Sequence, residues 1–556
     1  MTKHKYFLAV TMLIAVTMLI IVQSIEAQKV NIEARKVNTP NIILILVDDM
    51  GYSDLGCYGS NIIETHNLDN LAENGIRFSQ FYNTARCSPT RASLLTGLYP
   101  HQTGVGYLER MDKGEGHPGY RGRLNNHCVT IAEVLRQAGY FTAISGKWHV
   151  GGKYGVYPWD RGFDRSLTSV QSAFYYPQSN NAKGLHLNGN PISPFSDALP
   201  KNWYSSDLYA DFGLRFFDEA KAENKPFFLY LAFNAPHYPL QAPQETIKKY
   251  KGKFDAGWDK MRQPIYEKQI AMGLIDENWS LSPKNQDVPD WKNLPQEHKE
   301  RMAHIQEIYA ACVDRMDVAV GTFVEGLRER GDLDNTIIVF LSDNGACAEQ
   351  GPYGRYSGKE KSGTVNSTVF QGQSWATYSN TPFRRYKHFT TEGGISTSCI
   401  IHWPEGISKK MNGKIIHEYG HIIDIMPTFV ELANAKYPQR FKDNNILPME
   451  GADLTSVFKG GKIDRNKSIY WEHEGNRGGR EGKWKAVSFN HEPWLLFNLE
   501  TDRTEQVDLS KSYPEILKRL TKGWDEWSER CFVEPWPGKR NSAGQPYSVE
   551  VEYQIR

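Results

Sequence analysis

After Asn41 the chain carries six apolar residues in a row, Ile42 to Val47, and then Asp48-Asp49. An apolar run without polar alternation predicts a strand over 41–47 that is buried on both faces. Residues 68–74 predict a helix stopped by Gly75, and 76–81 a strand. The alternation then repeats. A helix over 129–138 precedes a strand over 140–145 that ends at Gly146-Lys147-Trp148-His149. A helix over 206–222 precedes a strand over 226–233 that ends at Asn234-Ala235-Pro236-His237. A long helix over 298–330 precedes a strand over 336–341 that ends at Ser342-Asp343-Asn344-Gly345. A short strand over 399–402 and a helix over 424–433, with Pro427 in its first turn, follow. Strands separated by helices predict an α/β fold: a large mixed, mostly parallel sheet sandwiched by helices. In such sheets ligands gather beyond the carboxyl ends of the strands. Four polar clusters far apart in sequence are therefore expected to meet.

Two stretches break the pattern. Residues 248–296 are charged with little periodicity and read as an insertion. Residues 349–380, rich in Gly, Ser and Tyr, read as a surface loop near the site. Beyond about residue 445 the segments 469–472, 484–489 and 494–499 read as antiparallel strands, followed by a helix over 513–530. The expected organisation is a signal peptide over 1–27, an α/β catalytic domain over 28–445 and a smaller α+β C-terminal domain over 446–556.

Composition narrows the function classes. The 556 residues are 40% hydrophobic and 23% charged, with a net charge of +1. No global field favours nucleic acid or an anionic membrane. Lys3, His4 and Lys5, an apolar run over 6–22 and then Ser24-Ile25-Glu26-Ala27 describe a secretory signal cleaved after Ala27. The run of 17 residues leaves an uncleaved anchor as the alternative. Export to the periplasm or medium is the expectation, without stable membrane insertion. Seven cysteines are scattered with no C-x-x-C pair, so neither a zinc site nor a disulfide framework is supported.

The chemistry is concentrated in Cys87-Ser-Pro-Thr-Arg91-Ala-Ser-Leu-Leu-Thr-Gly97. Pro89 suits a first helical turn and Gly97 a helix end. Cys87 is thus expected beside the N–H groups of a helix N-terminus, with Arg91 one turn on. Asp48-Asp49 and Asp343-Asn344 end two strands. Each alone reads as a solvated turn, but the pair at equivalent strand ends points to a hard divalent cation with oxygen ligands.

Cys87-x-Pro89-x-Arg91, continued by Ala-Ser-Leu-Leu-Thr-Gly, resembles the signature of the type I formylglycine-dependent sulfatases, of the alkaline phosphatase superfamily. Gly146-Lys147-Trp148-His149-x-Gly151 resembles the second signature of that family. The resemblance covers roughly residues 40–530 and implies an alkaline-phosphatase-like fold. It implies that a formylglycine-generating or sulfatase-maturating enzyme oxidises Cys87 to formylglycine, whose hydrate attacks sulfur. It also implies one Ca²⁺, with Mg²⁺ possible, on Asp48, Asp49, Asp343, Asn344 and modified Cys87. His237 and Lys387 would assist the leaving oxygen, His149 would take the proton of the diol, and Arg91, Lys147 and Lys387 would neutralise sulfate oxygens. The implied substrate is an aryl sulfate or, for an exported enzyme, a sulfated polysaccharide or oligosaccharide. Two other readings stand: a phosphonate monoester or phosphodiester hydrolase of the same superfamily, and a non-catalytic sulfated-glycan binding protein. Specificity is expected from 169–180, 350–380 and the turn 473–480, with its His473, Arg477 and Arg480.

Overall fold

The computed structural model describes residue 18 and residues 39–170, 173–357 and 360–536. The expected signal peptide lies, apart from Met18, outside the described residues. Strand β1 (Asn41–Val47) is buried along its whole length. Ile43, Ile45 and Val47 enter one apolar cluster, while Ile42, Leu44 and Leu46 enter another. Both faces of the strand are core, which is why its sequence shows no polar alternation.

The other strands of this sheet are β2 (Ile76–Phe78), β3 (Phe141–Lys147), β4 (Arg165–Ser169), β5 (Leu185–Leu187), β6 (Asn190–Pro191), β7 (Phe227–Ala232), β8 (Thr336–Ser342), β9 (Cys399–His402) and β10 (Lys414–Ile416). Their order is β10-β2-β9-β8-β1-β7-β3-β4-β5-β6. From β8 to β4 the neighbours run parallel. Strand β9 is antiparallel to β8 and β2, and β5 and β6 turn back at the far edge. The sheet is thus mixed and mostly parallel.

Its helices are α1 (His66–Glu73), α2 (Cys87–Thr96), α3 (Ile131–Gln137), α4 (Ser205–Ala222), α5 (Gly257–Ala271), α6 (Gln296–Glu329) and α7 (Ile425–Leu432). Leu68 of α1, Phe212 of α4 and Ile305 of α6 join the cluster of Ile43. Leu94 of α2, Ile131 of α3 and Phe429 of α7 join that of Ile42. The sheet is covered on both faces, as expected.

Two expectations are corrected. Helix α5 lies inside the stretch read as irregular. Its buried positions Trp258, Met261, Arg262, Ile265 and Gln269 do follow helical spacing, but Arg262 and Gln269 hide the apolar stripe. Each is satisfied in the core: Arg262 donates to the Ser282 carbonyl at 2.9 Å, and Gln269 to the Tyr58 and Thr381 carbonyls, both at 2.9 Å. The stretch 349–380 is not all surface loop either. A helix over Gly372–Ser379 is wholly buried, with Trp375 edge-on to Trp258 and Tyr378.

The C-terminal sheet has four strands, β11 (Ile469–His473), β12 (Asn476–Glu481), β13 (Trp484–Ser488) and β14 (Leu495–Asn498), antiparallel in that order and packed by α8 (Pro514–Arg530). The sequence reading found three of them and took the β12 segment for a turn. Asn-Arg-Gly-Gly-Arg-Glu has no apolar alternation. It pairs because Gly478 and Gly479 lie flat against their neighbours; a Cβ on Gly479 would come 3.0 Å from the Tyr470 ring. All seven cysteines are buried, unbonded thiols. Among the described residues no helix is long and apolar enough to cross a membrane.

Candidate active site

The register of the sheet aligns four strand ends. Val47 lies opposite Ser342, Leu46 opposite Ala232, and Gly146 opposite Ala232. The residues just beyond them therefore converge. Asp48, Asp49, Asp343 and Asn344 are completely buried. Asp49 turns sharply out of β1 with a left-handed φ of 70°, and His149 does the same beyond β3 with 61°. Gly146 permits the close approach of β3 to β7: at φ +123°, a Cβ there would lie 1.9 Å from the Ala232 carbonyl oxygen.

Cys87 is the first residue of α2, and the helix ends at Gly97 with φ 70°. The thiol lies in a cavity of about 210 Å³, walled by Lys147, His149, His237 and Lys387 among others. Lys387 comes from the loop after the Gly372–Ser379 helix. That loop is pinned by the Lys387 N–H to the Ala346 carbonyl at 3.3 Å and the His388 N–H to the Ala85 carbonyl at 3.0 Å.

The charges are arranged in pairs. Lys147 Nζ lies 2.5 Å from Asp48 Oδ2, and Lys387 Nζ 2.6 Å from Asp49 Oδ1. Asn344 Nδ2 donates to Asp49 Oδ1 at 2.7 Å. His237 Nδ1 donates to the Tyr238 carbonyl at 2.6 Å, which leaves Nε2 3.5 Å from Asp49 Oδ2. Burial opposes ionisation of Asp48, but Lys147, His237 and Arg91 hold its carboxyl well below the usual range. Burial and then Asp48 push Asp343 up to about 7. Burial, reinforced by Lys147 and Arg91, pushes the His149 imidazole well down. Burial also lowers His237, against the pull of Asp49 and Asp48. It raises the Cys87 thiol despite Lys147 and Lys387.

A family model described as Sulfatase matches residues 40–435. The chain belongs to the sulfatase family. It is a sulfuric ester hydrolase by that kinship. An uncharacterized sulfatase of Schizosaccharomyces pombe is 35% identical over 87% of this chain and 92% of its own. The arylsulfatase of Klebsiella aerogenes is 34% identical over 75% of this chain and 92% of its own. Among solved structures, that of Ps i-CgsB in complex with k-i-k-neocarrahexaose aligns over 90% of this chain and 94% of its own, with 28% identity and a TM-score of 0.65.

Sulfatases generally use a divalent metal, and the acidic cluster of this one fits such an ion. Asp48 Oδ1, Asp49 Oδ2 and Asn344 Oδ1 are buried with no hydrogen-bond partner in the protein. Ligand atoms of Asp48, Asp49 and His237 lie within 4.8 Å of one another. Three orphaned buried oxygens are costly unless a cation receives them.

The structure changes the reading of four sequence-derived candidates. Arg91, expected to reach the sulfate, is wholly buried and does not line the cavity. Its Nε and NH2 meet Asp343 Oδ2 at 3.1 and 2.8 Å, and NH1 donates to the Lys147 carbonyl at 3.1 Å. The 473–480 segment does not present its three residues together. Arg480 is buried with its guanidinium 3.9 Å above the Tyr419 ring, and His473 is buried beside Tyr107. Arg477 lies on Trp494. The sequence reading missed Arg86, Arg110, Glu109 and Tyr238, which line the cavity. Arg86 and Tyr238 directly flank Cys87 and His237, and that adjacency was the signal available. Glu109 accepts the Gly151 N–H at 2.9 Å and so holds the loop of His149.

Proposed function

We propose that the protein hydrolyses sulfate monoesters of a sulfated oligosaccharide or polysaccharide by S–O cleavage, with Cys87 as the precursor of formylglycine. One observation carries the reading: Cys87, three lysines and two histidines share a single cavity beside a buried carboxylate cluster with three unpartnered oxygens. A relative crystallised with a carrageenan hexasaccharide supports a glycan substrate.

Asp48, Asp49 and Asn344 would hold a Ca²⁺ or Mg²⁺ ion. Asp343 Oδ1, bonded to the Asp49 N–H at 3.3 Å, would be the fourth protein ligand and residue 87 the fifth. When present, the ion would neutralise sulfate oxygens, and the hydrated formylglycine would supply the attacking oxygen. The protein's own groups do the rest. Lys147 and Lys387 each have ammonium N–H groups beyond the one on an aspartate, and these meet the sulfate. His237 is fixed by its Nδ1–H bond with Nε2 toward the site; as the imidazolium, the form that Asp49 and Asp48 favour against burial, it passes its Nε2 proton to the departing sugar oxygen and is left neutral. His149, held neutral, takes the proton that must leave residue 87 before sulfate is released. One water is consumed, and an alcohol and sulfate are formed.

Because Cys87 is 2% exposed, its conversion by a maturation enzyme precedes folding. Export through residues 1–27 places the protein where such glycans are met. The test is peptide mass spectrometry with kinetics. The peptide containing residue 87 is expected in the lighter aldehyde form. Cys87→Ala is expected to abolish hydrolysis of 4-nitrophenyl sulfate while far-UV circular dichroism is unchanged. Substantial sulfatase activity in that variant sinks the scheme, and faster turnover of an aryl phosphonate than of the sulfate moves the protein to the phosphonate hydrolases.

A further inference from the structure

A second cavity, of about 310 Å³, lies beside the catalytic one, among Glu472, Arg477, Trp524, Glu534 and Trp536. Its size is that of a small-ligand site. Aromatic rings stand between the two cavities. The Tyr107 ring lies 4.8 Å from that of Trp536 and stacks on His473 at 5.7 Å. Tyr107 belongs to the same apolar cluster as Cys87 and Leu108, both of which line the catalytic cavity.

The charges of the second cavity are unevenly satisfied. Glu472 takes His101 Nε2 at 2.9 Å, and Glu534 takes Lys113 at 3.1 Å and His117 at 2.8 Å. Arg477 is different. Its guanidinium lies 4.6 Å from the Trp494 ring centre and 5.5 Å from that of Trp524. NH2 donates to Ser488 Oγ at 2.7 Å and weakly to the Glu492 carbonyl at 3.4 Å. Among the described residues no carboxylate forms an ion pair with it. The half-buried guanidinium lies over two indoles, with the carboxylates of Asp525 and Glu472 near enough to act on its charge but in no ion pair with it, which leaves N–H groups to meet an anion.

We propose that this cavity binds the neighbouring anionic sugar of the chain whose sulfate is being removed, its ring on the tryptophan faces and its sulfate or carboxylate on Arg477. This rests on the glycan sulfatase reading above and narrows the substrate to an oligosaccharide with charges on successive sugars. The catalytic cavity, lined by Arg86, Arg110, Lys147, Lys153 and Lys387, is the other cationic point.

The experiment uses the formylglycine-containing full chain. Its kcat/KM is measured on 4-nitrophenyl sulfate and on di- and hexasaccharides of carrageenan and chondroitin sulfate. The wild type is expected to prefer a hexasaccharide to its disaccharide by about tenfold. Arg477→Met preserves the stacked alkyl chain and is expected to remove that preference through KM. Arg477→Lys, which keeps the charge but not the fork, is expected to retain part of it and serves if the Met variant unfolds. Turnover of 4-nitrophenyl sulfate with no length preference in either series, or a preference equal in wild type and variants, overturns the proposal alone. No turnover of any sulfate ester by the converted protein overturns the sulfatase reading itself and this proposal with it.

Discussion

Arg91 closes its fork on Asp343, with Asp48 Oδ2 a further 3.6 Å from NH2, and all three side chains are inaccessible to water. Removing one partner of such a group strands the others: about 3–5 kcal/mol is lost when a buried pair is broken from one side. Arg91→Met is therefore expected to lower the urea midpoint by that order as well as reducing activity. A side chain that only touched substrate would raise KM and leave the urea midpoint where it was. The two measurements together assign Arg91 to holding the carboxylate cluster or to gripping sulfate. The same distinction separates legible from illegible residues in this site. Asp48, Lys147, His149, His237 and Asp343 were readable because each follows a strand closely, where a polar residue needs a reason. Arg86 and Glu109 sit in loops, and only the folded neighbourhood shows what they face. Arg91 was readable as important, but its partners lie just beyond β8 and β1 and at the end of β3, and no local pattern reveals them.

At the scale of elements, the site depends on how closely β3 and β7 run. Strand β3 ends in Lys147, and its bond to Asp48 at 2.5 Å spans the end of β7 between them. Gly146 makes that span possible. Ala in its place must push against the Ala232 carbonyl and abandon φ +123°. Gly146→Ala is expected to cost about 1–3 kcal/mol in thermal or urea unfolding, as overpacked sites do. It is also expected to lower kcat/KM on 4-nitrophenyl sulfate by more than about tenfold, because Lys147 leaves its place. Wild-type kinetics in this variant would mean that the strand end does not set the lysine. The parallel strands announced themselves because burial on both faces leaves unbroken apolar runs. Helix α5 and strand β12 did not, because Arg262, Gln269 and two glycines occupy core-facing positions. Such residues are stable there only with partners distant in sequence, and those partners are invisible to a local reading.

Over the whole molecule, the C-terminal sheet is tied to the catalytic body by ions in its interior. Glu392, just after the Lys387 loop, accepts Lys485 Nζ at 2.7 Å, Arg503 Nε at 2.8 Å and the Tyr82 hydroxyl at 3.0 Å. Glu505 takes the same lysine at 2.8 Å, and its other oxygen takes the Glu392 N–H at 2.9 Å. Glu392, Lys485, Arg503 and Glu505 are completely buried. Burial would raise the Glu392 carboxyl, but Lys485 and Arg503 hold it down at about 2, against an ordinary 4.5. A carboxylate whose folded pKa is depressed contributes stability that is fully present above pH 4.5 and is lost as the pH falls toward about 2. Burial raises Glu505 despite Lys485, so its protonation works the other way; the loss at Glu392 should still make acid loosen the contact between the C-terminal sheet and the Lys387 loop below pH 4.5. Lys485→Met removes the cation shared by both glutamates. It is expected to lower the urea midpoint at pH 7 by an amount equivalent to about 3–5 kcal/mol. With Glu392 then closer to its ordinary value, stability should fall less steeply between pH 4.5 and 2 than in the wild type. Urea unfolding followed by tryptophan fluorescence across that range reads both effects. Parallel acid profiles for the two proteins would show that the cluster does not couple the sheet to the site.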